Sequence, residues 1–152
     1  MLRRQRQVKL AGIVVLALIA AQCGGSKVRE ARKAAYRIQV VTNAAVDTTA
    51  ELYEAKVLTR EKTNQIARLL LKVNDANRVL IDKAGAATED TPAVRSDLLA
   101  TLRIIQDAVR ELKNLGVLGI KSQSGELAFA SAMTAMDSSI AIIRTVLSGR
   151  SQ

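Results

Sequence analysis

Phe129-Ala130-Ser131-Ala132-Met133-Thr134-Ala135-Met136-Asp137-Ser138-Ser139-Ile140-Ala141-Ile142-Ile143-Arg144-Thr145-Val146-Leu147 decides the fold. Its large apolar residues fall at Phe129, Met133, Met136, Ile140, Ile143 and Leu147, in steps that alternate four and three. That alternation keeps one stripe on one side of a helix, as a bundle seam requires. A strand would need steps of two, and the pair Ile142-Ile143 is too short to supply them. The spacing predicts a helix that begins near residues 122–124 and ends before Gly149.

Three further helices lie upstream. Pro92 follows Thr91, a cap residue, and needs no N–H at the first helical position. The helix it opens is expected over residues 92–114, with seam Leu98, Leu102, Ile105, Val109 and Leu112, and Gly116 stops it. Before the break at residues 85–90, a helix over residues 60–83 is capped by Thr59. Its seam is Ile66, Leu69, Val73, Ala76 and Leu80, widened by Leu70. The first helix is expected over residues 27–57, on a thin stripe of Ala34, Ile38, Val41, Ala45, Thr48, Leu52 and Ala55. Four long helices with short connections favour antiparallel neighbours. The expected fold is all-α, an antiparallel up-down-up-down four-helix bundle over residues 27–152, with coiled-coil-like seams.

Composition removes whole classes of chemistry. The 152 residues contain no His. Imidazole acid–base catalysis and the usual zinc, haem and di-iron ligand sets are therefore excluded. The single Cys is Cys23, so the bundle has no disulfide and no thiol nucleophile. Aromatics make up 2% of the chain, too few for base-stacking platforms, so nucleic acid is a poor partner. Residues after Ser26 hold 19 Lys/Arg and 14 Asp/Glu, a net of +5 within the +9 of the whole chain. Asp97, Asp107, Glu111 and Asp137 read as surface ion-pair partners of Arg103, Arg110 and Lys113, with Asp107 at four and three residues from Arg103 and Arg110. Met133, Met136 and Phe129 sit at seam spacing and read as core rather than as a ligand site. No cofactor is expected, and the domain reads as non-enzymatic.

Residues 1–26 read differently. Arg3, Arg4, Arg6 and Lys9 precede an apolar run over residues 10–21, and Gln22-Cys23-Gly24-Gly25-Ser26 follows. A basic head, an apolar core of this length and a small-residue exit form a signal peptide or short membrane anchor. The run would rise only about 18 Å as a helix, against a hydrocarbon core of roughly 30 Å. At Ile19-Ala20-Ala21-Gln22-Cys23 the leader resembles a bacterial lipoprotein signal, whose lipobox ends in the cysteine that takes the lipid. The resemblance is confined to the leader and implies Cys23 as the lipidation site. Gln22 departs from the pattern, since a small residue is usual there. A short anchor followed by a helical domain also resembles the plan of small envelope lipoproteins and of the inner-membrane spanins of phage lysis.

The expected function is a non-enzymatic, membrane-tethered bundle of a bacterial or phage envelope. It would act as adaptor, spacer or structural factor and face the periplasm or cell envelope. Lys27, Arg29, Arg32, Lys33 and Arg37 are candidates for a membrane-surface contact and are expected to project as a stalk. Cations this early oppose the positive end of their own helix dipole, so a role outside the helix would explain them. Positive charge on both sides of the apolar run leaves topology open. The alternative is a cytoplasm-facing protein whose basic stalk binds anionic lipid or nucleic acid. The connection after Leu115 is unusually apolar, and Val117, Leu118 and Ile120 are the candidate partner-contact residues. The expected partners are the membrane through the N-terminus, a protein of unspecified identity, and self-association into a homo-oligomer.

Overall fold

A computed structural model describes residues 26–116 and 123–149. They form four helices: α1 (Lys27–Glu54), α2 (Arg60–Ala86), α3 (Pro92–Gly116) and α4 (Gln123–Ser148). Each helix packs on its two neighbours in ring order, α1 on α2 and α4, α3 on α2 and α4. Contacts at both ends fix the direction of each helix. At one end the amide of Lys27 reaches Asp90, between α2 and α3. At the other, Lys62 Nζ of α2 reaches the carbonyl of Leu115 near the end of α3, at 3.5 Å. The described residues therefore form the expected antiparallel up-down-up-down bundle. The leader and Cys23 lie outside them.

The seams of α3 and α4 are buried where their spacing places them. Leu98, Leu102, Ile105, Val109 and Leu112 of α3 are buried, as are Phe129, Met133, Met136, Ile140, Ile143 and Leu147 of α4. In α2, Leu70 rather than Leu69 is fully buried. The first helix departs most. Its buried set is Val28, Ala31, Ala35, Ile38, Thr42, Ala45, Thr49 and Leu52, a continuous alternation of three and four, with Ala34 beside it. Val41 and Thr48 are only half-buried and Ala55 is exposed, so the helix is rolled from the expected stripe toward its Thr residues. The roll is tolerable because each buried hydroxyl donates to its own preceding turn. Thr42 Oγ1 bonds the Ile38 carbonyl at 2.7 Å and Thr49 Oγ1 the Ala45 carbonyl at 2.6 Å. Neither Thr then carries an unpaired polar group into the core.

One side-chain bond crosses the core. Asn77 of α2 is buried, and its Nδ2 donates to the Ala35 carbonyl of α1 at 2.9 Å. Sliding either helix by a turn would strand that amide, so the pair fixes the α1/α2 register.

The first helix stops three residues earlier than its apolar pattern suggests. Lys56 takes a positive φ of 58°. The Lys56 amide then bonds the Tyr53 carbonyl, and the Val57 amide bonds the Leu52 carbonyl, both at 2.9 Å. This is the Schellman arrangement, and Val57 and the buried Leu58 fold back to close that end of the core. A β-carbon in the left-handed region costs roughly 1 kcal/mol, which glycine avoids. Lys56→Gly should therefore stabilise the fold by about 0.5–1 kcal/mol in denaturant titration. Ile143 is fully buried in the last two turns of α4. Ile143→Asp should destabilise by about 3–5 kcal/mol, against about zero for the exposed Arg144→Ala, measured the same way.

Candidate functional site

Ser26 joins the leader to the bundle, and the five basic candidates follow it. They do not form a projecting stalk. Val28, Ala31, Ala34 and Ala35 are buried among them, so this stretch of α1 is packed into the bundle. Antiparallel packing brings the C-terminal ends of α2 and α4 alongside. Lys27 Nζ lies against Gly149, just past the end of α4, where φ is +70°. The Arg32 guanidinium lies flat on Gly85, in the last turn of α2, so close that a β-carbon there would sit 2.9 Å from Cζ. Arg32 Cζ also stands 5.7 Å from the Tyr36 ring centroid, in cation–π range. Both cations therefore meet the negative ends of neighbouring helix dipoles, which offsets the repulsion from their own.

The other three basic residues are exposed. Lys33 pairs with Glu30 at 2.9 Å, one turn away. Arg29 and Arg37 carry no ion pair among the described residues. Of the five, these two are free to meet a charged surface.

Asp90 ties this end together. Ser26 stands at the N-cap position of α1 but makes no side-chain cap bond. Asp90 Oδ2, 63 residues away, accepts from the Lys27 amide at 2.6 Å instead. Its second oxygen lies 3.5 Å from Arg95 Nε. A carboxylate at the start of a helix both satisfies an orphan amide and meets the positive dipole end. Thr91, the next residue, caps α3 by accepting from the Val94 amide at 3.3 Å. One short loop thus holds the starts of two helices.

At the opposite end, Val117, Leu118 and Ile120 lie outside the described residues. Val57 and Leu58 are part of the core closure already described. The surface carboxylates pair mainly across helices rather than along them. Asp97 of α3 meets Lys83 of α2 at 2.8 Å, and Asp137 of α4 meets Lys113 of α3. Only Arg110 and Asp107 form an in-helix pair from this group, at 3.2 Å. No group of three His, Cys, Asp or Glu able to hold a metal occurs among the described residues.

The seam pattern left one feature unseen. Between α1 and α2 an open groove of about 380 Å³ runs along the outside of the bundle. Thr42, Val46, Thr49, Ala67, Leu70 and Leu71 line it, so its wall is largely apolar. Beside it, Tyr36, Val40, Val46 and Tyr53 of α1 are exposed. Helix α4 is also long and apolar enough to cross a membrane by length and composition, but Phe129, Met133, Met136, Ile140, Ile143 and Leu147 form its bundle seam.

Compared with known proteins, the chain matches no family model, no curated relative and no solved structure. The geometry at the Ser26 end makes its own claim. Asp90→Ala should lower stability by about 1 kcal/mol, as loss of a helix cap does, in a thermal or denaturant melt. Asp90→Asn, which retains an accepting oxygen, should lose less.

Proposed function

We propose that the chain is a membrane-tethered helical bundle of a bacterial or phage envelope. It acts through protein contacts as an adaptor, spacer or structural factor. The observation that carries this reading is the order basic head, apolar run, Cys23 and Gly24-Gly25-Ser26 immediately before α1. The bundle itself adds a consistent geometry. Residue 26 stands at one end of the described bundle, and in this reading Val117, Leu118 and Ile120 contact the protein partner. In this reading Cys23 carries the lipid, and Arg29 and Arg37 meet anionic headgroups. Each such charge contributes about 1 kcal/mol near the surface. Lys33 adds to them when it releases Glu30, while Lys27 and Arg32 serve chiefly the bundle.

A second reading is favoured by one observation, the basic flanks on both sides of the apolar run. Under the positive-inside rule that pattern suits a cytoplasm-facing bundle held at the inner leaflet.

Two measurements separate these readings. Cys23→Ser should abolish labelling by a fatty-acid analogue and release the protein from membranes. Retention without labelling would replace the lipid with an uncleaved anchor. A periplasm-dependent reporter fused after Gln152 should be active. Activity only of a cytoplasmic reporter would establish the second reading instead.

A further inference from the structure

We propose that the outward face of α1 is the two-fold interface of a homodimer, in which two copies of α1 pack antiparallel. Three features of this helix point to a second copy of the chain as the occupant.

The first is a second apolar stripe. With Val28 to Leu52 spent on the core, Tyr36, Val40, Val46 and Tyr53 remain 45%, 68%, 47% and 44% exposed. Asn43 and Ala50 complete a run with helical steps of three and four. The stripe borders the α1/α2 groove, and Leu71 of α2 extends it at 59% exposure. A helix that is apolar on two sides is usually covered on both.

The second is charge order. From Lys27 to Arg37 the helix holds five cations and one acid, Glu30. From Ile38 to Glu54 it holds Asp47, Glu51 and Glu54 and no cation. This order opposes the helix's own dipole at both ends. Lys27 and Arg32 are answered inside the bundle. Arg37, Asp47, Glu51 and Glu54 carry no ion pair among the described residues.

The third is that stripe and charges share one centre. The midpoint of Tyr36 and Tyr53 falls between Ala44 and Ala45. That of Arg37 and Glu51 is Ala44, and that of Lys33 and Glu54 falls between Asn43 and Ala44. A two-fold axis at that level sets aromatic against aromatic and cation against carboxylate, twice over, as an isologous contact requires. A parallel pairing would set each charge against its own copy. The apolar run of residues 10–21 has no charged residue, so it cannot answer this pattern.

The dimer does not rest on the membrane reading; where both hold, Arg37 is spent on Glu51 of the second copy and Arg29 is left to meet headgroups. It places the two starts of α1 about 50 Å apart, given 1.5 Å per residue and an axis at the level of Ala44. Both leaders reach one bilayer when the two-fold axis stands along the membrane normal.

The test uses the full-length chain in mild detergent, with protein mass followed by sedimentation across a concentration series. The wild type should dimerise. Arg37→Glu and Glu51→Arg each replace two attractive pairs with two repulsive ones, and each should weaken the dimer about tenfold or more. The double variant Arg37→Glu/Glu51→Arg should restore it, because the swapped charges meet again across the axis. Both positions are exposed, so helicity and melting should stay as in the wild type and separate dimer loss from unfolding. A wild type that stays monomeric to about 100 μM would overturn the proposal. So would a dimer unmoved by either single change, which would place the contact on the leader or another face. A double variant no tighter than the weaker single would overturn the antiparallel geometry. A foreign helix as the true occupant would show as a monomeric wild type.

Discussion

Everything in this bundle rests on interdigitation of four aliphatic seams, because the chain supplies no other means of holding them. Its one cysteine precedes the domain and it has only three aromatic residues. Within that constraint α1 is the unusual member. Ala31, Ala34, Ala35 and Ala45 give its core face little bulk, so a neighbouring backbone can come close. Helices α1 and α4 do share the most extensive close approach in the bundle, and α3 and α4, large on both sides, the least. Small residues on α1 thus set the spacing, and Phe129, Met133 and Met136 supply the volume that α1 lacks. Dense packing then makes each large residue of α4 sensitive to substitution.

Helix ends show a division of labour that no single helix could provide. A lone α1 would suffer from cations at its start and carboxylates at its finish. Antiparallel packing reverses the local field, because the ends of α2 and α4 stand beside Lys27 and Arg32. Asp90 adds a carboxylate at the start of α1, where α1's own Ser26 makes no side-chain cap. The stretch that most resembles a membrane-seeking stalk is therefore also part of what holds the bundle closed. Mutating Lys27 or Arg32 to probe membrane binding would disturb stability as well. Arg29 is the cleaner probe, since it is exposed, carries no ion pair among the described residues and lies outside the proposed dimer pairs.

How much of this was legible depended on side-chain size. Helices α3 and α4 announce themselves through Leu, Ile, Val and Met at regular steps, and every expected seam residue is buried. Pro92, Thr91, Thr59 and Gly116 mark boundaries through backbone chemistry that holds in any context. An apolar pattern leads the α1 seam through Val41, while the structure buries Thr42 and Thr49. A hydroxyl bonded to its own helix is nearly apolar to its surroundings, and a hydropathy pattern cannot register that. Nor could sequence pair Asp90 with Lys27, since the contact spans 63 residues and exists only once the loop is in place. The positive φ at Lys56 was hidden too, because Gly, the residue that would have signalled it, is absent there.

The exposed stripe of α1 was in principle readable. Tyr36, Val40, Val46 and Tyr53 carry two of the chain's three aromatics, and the charge order is plain along residues 27–54. The core stripe of α1 is itself thin, so hydropathy along the sequence does not separate its two apolar faces. Read with both faces in view, α1 has an apolar residue on nearly every side not occupied by charge. Such a helix gains little from solvent exposure and much from being sandwiched. The bundle covers one side of it. The same small and β-branched residues that let α4 approach from within leave the α1/α2 groove shallow and apolar from without. Stability and recognition are then two consequences of one compositional choice in α1. They remain separable by mutation at Tyr36, Val40 and Tyr53, which are exposed and outside the core, whereas Thr42, Thr49 and Leu70 belong to both the core and the groove wall.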